Sequence, residues 1–153
     1  MKRFCIYSFI LLFVSLISAQ SASVAVRASS GVPDGYYNIA ASASDGFTFT
    51  VSGFKVGGFY IVKASNSNGS FQNSFGSPQA NPSAAFSFTV DEATISATSG
   101  VNFASGQQIY FQVQSMNNDF SQHGTVAATV SNGYGGNNSF YIDKTAPTVT
   151  GVN

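Results

Sequence analysis

Few side chains in this 153-residue chain could do chemistry. The only histidine, His123, sits in Ser121-Gln-His-Gly124, four residues after Asp119. Such a pair could act as a general base and its orienting carboxylate, but only with a nucleophile in hydrogen-bond reach. No nucleophile motif accompanies it, and the single cysteine, Cys5, lies in an N-terminal apolar run. Asp91-Glu92, Asp143 and Asp119 could offer oxygens to Ca2+, a hard ion that takes about six to eight of them. The chain has no Asp-x-Asp-x-Asp loop, so no cofactor is expected, with Ca2+ at these acids as the alternative. Glycoside hydrolysis needs two carboxyl groups held at a set separation in a cleft, and no matched acid pair stands out. Aromatic residues remain. Tyr36, Tyr37 and Tyr134, with Tyr141, could stack on sugar rings, since aromatic side chains give large contact area at low entropy cost. Phe71 and Phe75 lie in a polar tract and need cover or a partner. Tyr36, Tyr37, Phe71, Phe75 and Tyr134 are therefore the candidate ligand contacts, and a catalytic role is not expected.

The elements that must carry these residues have period two. Val24 and Val26, Phe47-x-Phe49-x-Val51, Phe86-x-Phe88-x-Val90, Ile109-x-Phe111-x-Val113, Val126-x-Ala128-x-Val130 and Phe140-x-Ile142 alternate with polar or small residues. Strands send successive side chains to opposite faces, so each run has one core face and one wet face. Phe59–Val62 is apolar on both faces, as a covered central strand would be, and Tyr36–Ala40 is a further short candidate. Punctuation is dense, with Asp45-Gly46, Gly57-Gly58, Asn132-Gly133 and Gly135-Gly136 among the turn signals. No helical periodicity is sustained. Seven or eight short strands between turns predict an all-β, antiparallel two-sheet sandwich. Ser65 to Ala84 is a polar tract with two prolines, read as a long loop because its composition cannot bury a core.

Met1-Lys-Arg3, an apolar run from Phe4 to Ile17 and Ser18-Ala19-Gln20 form the pattern of a secretory signal peptide cleaved after Ala19. The run is short of the roughly 20 residues a membrane span needs. Residues 1–19 thus read as a leader, and no membrane span is expected after its removal. The remainder carries Arg27, Lys55, Lys63 and Lys144 against Asp34, Asp45, Asp91, Glu92, Asp119 and Asp143, four cations to six acids, a net of −2. Without a basic face to neutralise phosphates, nucleic acid is not an expected partner. Without a cysteine, the exported part depends on its apolar core. The chain's fifteen Phe, most of them beyond the leader, can supply that core. The last fourteen residues look like a junction: the strand Phe140–Asp143 ends, Thr145-Ala-Pro147 breaks it, and Thr148-Val-Thr150 starts another. The expected organisation is a leader over 1–19, a sandwich over 20–144, and over 145–153 a linker with the first strand of a following module. On this reading the chain is the N-terminal piece of a longer protein.

Two segments, Val32-Pro-Asp-Gly-Tyr-Tyr-Asn-Ile39 and Gly46-Phe-Thr-Phe-Thr-Val-Ser-Gly-Phe54, resemble the opening of bacterial Ig-like repeats. Phe140-Tyr-Ile-Asp-Lys-Thr-Ala-Pro-Thr-Val-Thr-Gly151 is similar to the junction between such repeats. Phe103-Ala-Ser-Gly106 through Val113-Gln-Ser-Met-Asn-Asn118 to Gly124 resembles the penultimate strand of fibronectin type III modules, although Tyr110 is one residue out of phase with their inward tyrosine. The tryptophan and the disulfide of antibody domains are absent. The resemblance implies a secreted or cell-surface, non-catalytic Ig-like sandwich, acting as a structural, display or adhesion unit at the head of a tandem array. The alternative is a carbohydrate-binding accessory module of a larger secreted protein or enzyme. The partners to expect are a polysaccharide or a surface protein.

Overall fold

The computed structural model describes residues 19–27, 35–38, 46–98, 100–130 and 133–145. The leader up to Ser18, the residues from Ala146 onward with their expected strand, and Asp34 and Asp45 lie outside the described residues. The chain is all-β. Its strands are β1 (Ser21–Arg27), β2 (Tyr36–Asn38), β3 (Gly46–Ser52), β4 (Phe59–Ser65), β5 (Asn73–Ala80), β6 (Ala85–Asp91), β7 (Gln108–Met116), β8 (Gln122–Ala127), β9 (Thr129–Val130) and β10 (Phe140–Asp143). One short helix, α1 (Glu92–Ser96), follows β6. It buries Ile95 fully, which is what holds so short a helix in place. Among the described residues no helix is long and apolar enough to cross a membrane.

Two sheets face each other, one ordered β6-β3-β1-β9 and one β2-β10-β7-β4-β5 with β8 also on β7. The expected period-two faces become the core. Phe47, Phe49 and Val51 of β3 meet Ile109, Phe111 and Val113 of β7, all at most 1% exposed. Phe47 lies 4.9 Å from both the Tyr37 and the Phe111 ring, and 5.0 Å from Phe140. Each such side chain contributes roughly 1.5–3 kcal/mol by leaving water.

Three features depart from the sequence expectation. Two strand pairs are parallel, β1 with β9 and β2 with β10. The first arises because one strand changes sheet: β8 pairs with β7, and two residues later β9 pairs with β1. Ala128 is the pivot, fully buried, its N–H donating to the Phe111 carbonyl at 2.9 Å. The Asn138 side chain accepts from the Val130 N–H and donates to the Ala128 carbonyl, standing in for a strand where the ladder breaks. Second, the polar tract read as a loop contains β5, an edge strand on β4. Phe75 alone anchors it, buried opposite Val62. Pro78 is tolerated there because the strand lies at an edge, beside a register shift. Third, there are ten described strands where seven or eight were expected: β2 is the expected short strand at Tyr36, and the additions are β5 and the division of the Val126–Val130 run into β8 and β9.

The described chain enters and leaves at opposite ends. Ser21 of β1 pairs with Ser52, which pairs with Ala85 at the start of β6. Lys144, just past β10, forms an ion pair with Glu92, just past the end of β6. Six residue steps of strand separate these ends, about 20 Å.

Candidate functional site

The five candidate contacts divide. Tyr36 and Tyr141 are cross-strand neighbours on β2 and β10, and both point away from the core, because Tyr37, Phe140 and Ile142 occupy the inward positions. Tyr134, on the 3-10 turn Tyr134–Gly136, completes a cluster: its ring is 5.3 Å from Tyr36 and stacked 4.5 Å from Tyr141. All three are half-buried. Beside them, the Tyr110 hydroxyl donates to the Gln108 side chain. Tyr37 is a core residue with no exposure, stacked on Phe47, its hydroxyl donating to Glu92 Oε2 at 2.6 Å. It has no free face for a sugar. Phe75 is likewise buried, and Phe71 is half-buried, so the two rings of the polar tract do not form a common surface.

Several ionisable groups are held in local structural contacts. Asp119 Oδ1 accepts from the Ser121 hydroxyl and backbone N–H, and these bonds hold its carboxyl below the usual aspartate range. His123 Nδ1 lies 2.6 Å from the Gln20 amide nitrogen. The structure does not pair Asp119 with His123. Glu92 joins Lys144 and Tyr37, and Asp143 accepts from the Thr145 N–H. Among the described residues no three His, Cys, Asp or Glu side chains cluster as metal ligands would. Burial holds the Lys144 ammonium below the ordinary lysine range and pushes the Tyr60 hydroxyl up.

Two features that sequence reading missed are the most exposed apolar groups and the open side of the sandwich. Val56 and Phe120 are the exposed large hydrophobic residues of the described chain, at 62% and 57%. Val56 belongs to the turn closed by the Gly58 N–H donating to the Lys55 carbonyl, just before β4. Phe120 ends the β7–β8 hairpin turn, where its N–H donates to the Asn117 carbonyl and the Asn117 N–H donates to the Ser121 carbonyl. Phe59 pairs with Met116 between these turns, so both lie at the end where β1 begins. Phe120 stacks on Phe59 at 4.4 Å. Its φ is +63°, the left-handed position that this hairpin type normally gives to glycine. A bulky side chain there costs about 1–2 kcal/mol. The signal was present in the sequence as a Phe in Asn117-Asn-Asp-Phe120, where turn chemistry calls for Gly.

The open side lies between β5 and β6, where a cleft of about 180 Å³ is lined by Tyr60, Val62, Phe75, Phe88 and Val90 among others. A wider polar groove of about 600 Å³ runs between β5 and α1, past Gln72, Asn73, Thr94 and Thr98. No protein-family model, curated protein or solved structure matches the chain.

Proposed function

We propose that this is a non-catalytic, exported Ig-like module at the head of a tandem array, which displays its Val56/Phe120 end for adhesion. The leader-like residues 1–19 support export. The strand order supports the Ig-like type: β1, β3 and β6 in one sheet face β5, β4, β7 and β8 in the other, with the opening strand segment β2 running back beside the closing strand β10. Entry and exit at opposite ends suit head-to-tail joining through the Pro147 linker. In that arrangement the Val56/Phe120 end faces away from the following module.

Phe120 is the observation that carries the adhesive role. Phe120 strains the backbone and, among the aromatic rings of the described residues, stacks on Phe59 alone while more than half of the residue stays exposed, and strain of this kind gathers at functional positions. The test uses beads coated with the full chain and with a Val56→Ser/Phe120→Gly variant, over surfaces bearing extracellular proteins or polysaccharides. The variant should lose most of the retention on at least one protein surface. Equal retention of both bead types everywhere sinks the adhesive role.

The second reading is polysaccharide binding on the outer face of the larger sheet. The Tyr36–Tyr134–Tyr141 cluster beside Gln108 and Tyr110 favours it. Pull-down on insoluble polysaccharide should then drop several-fold with Tyr36→Ala and Tyr134→Ala, and unchanged binding removes this reading.

A further inference from the structure

We infer that the free edge of β6 is a homotypic interface: β6 of one copy pairs antiparallel with β6 of a second copy, centred on Phe88. The two four-stranded sheets then become one sheet of eight strands. Among the described residues β6 ends its sheet, and all of Ala85–Asp91 is paired with β3 on its other side. Unpaired strand edges are templates for further pairing unless guarded by proline, lysine, bulges or an inward charge. β6, Ala-Phe-Ser-Phe-Thr-Val-Asp, has none of these, and its one charge is the terminal Asp91. β5, across the same cleft, is guarded by Pro78 and by its register shift.

Burial agrees with an edge left to be covered. Phe86, Phe88 and Val90 point inward yet are only half-buried, because the cleft opens on their side. Every core strand position opposite them on β3 is buried completely or nearly so. A second strand along this edge would cover them.

The strand is complementary to itself, which selects a second copy of this chain as the occupant. Centred on Phe88, the antiparallel register sets Ser87 against Thr89 of the second copy, Phe86 against Val90 and Ala85 against Asp91. The hydroxyl pair repeats the Thr50–Ser87 contact of 2.9 Å on the other edge, and the ring pair repeats the Phe49–Phe88 stack of 5.2 Å. The two Asp91 carboxylates fall at opposite ends of the ladder, about 20 Å apart. That is beyond the Debye length of about 8 Å at physiological salt, so they do not oppose the pairing.

Sedimentation velocity of the purified full chain over about 1–500 µM tests it. The chain should dimerise within that range. Ser87→Lys/Thr89→Lys places like charges opposite one another on an exposed face and should weaken the dimer at least about 100-fold, while the protein still unfolds cooperatively when melted at concentrations too low for dimer. Ser87→Glu/Thr89→Glu should do the same, and an equal mixture of the two variants should restore a one-to-one dimer. On the native chain, amide exchange over Ala85–Asp91 should slow as concentration rises. A native chain that stays monomeric, a lysine variant that dimerises as before, a mixture that fails to recombine, or β6 exchange independent of concentration would each overturn the interface.

Discussion

The two ends of the sandwich are built on opposite principles. At the exit end, four segments distant in sequence are tied by polar contacts. Tyr37 of β2 donates to Glu92 at the start of α1, Glu92 pairs with Lys144, and the Lys144 N–H donates to Ser105. The Lys144 ammonium also lies 4.8 Å from the centre of the Phe103 ring. At the entry end, Val56 and Phe120 are exposed and Phe120 holds a strained backbone. One end is closed by polar contacts among four segments, and the other leaves apolar side chains exposed, one of them on a strained backbone.

Breaking the exit end should have the largest effect. Tyr37→Ala removes a fully buried ring, its stack on Phe47 and the hydrogen bond to Glu92. Loss of about 3–5 kcal/mol is expected in urea unfolding, a large share of a domain's usual stability. Glu92→Ala keeps the ring but leaves the Tyr37 hydroxyl and Lys144 without their partner carboxylate. About 1–3 kcal/mol should be lost by the same measurement.

The entry end should respond differently. Phe120→Gly relieves about 1–2 kcal/mol of backbone strain and loses a stack worth about 0.5–1.5 kcal/mol. Stability within about 1 kcal/mol of the native chain is the expected result, and a loss of 3 kcal/mol or more would show that Phe120 is packing after all. The smallest effect concerns Asp119. Its folded-state pKa is lowered by the bonds from Ser121. It therefore contributes stability that is fully present above its unfolded value of about 3.9 and is lost as pH falls through the lower folded value. Asp119→Asn should flatten the acid side of the melting-temperature profile below about pH 4 and leave it unchanged in shape near pH 7. A mutant profile parallel to that of the native chain at all pH values would exclude this linkage.

Much of the fold was legible because the inward residues of its main strands are large and their neighbours are not. Phe47, Phe49 and Val51 could face only one core, and they do. β5 was hidden because one ring, Phe75, anchors eight residues, so no alternation could announce it. The helix α1 was hidden because five residues hold too little periodicity, and Ile95 packs through tertiary contact alone. Of the candidate contacts, Tyr36 and Tyr134 came together with Tyr141, whereas Tyr37 turned inward. Adjacent residues on one strand must face opposite ways, so Tyr36 and Tyr37 could never share a surface.

The sequence by itself determined the class of fold, the inward face of each main strand and the scarcity of reactive groups, because side-chain period and composition are local properties. Only the tertiary structure decided which tyrosines meet, that Asn138 bonds the backbone of Ala128 and Val130, that Glu92 and Lys144 pair beyond β6 and β10, and that β6 is an edge among the described strands. Those outcomes depend on which strands become neighbours and which are left at an edge. Pairing joins residues far apart in the chain, and no local pattern encodes which edge remains unpaired.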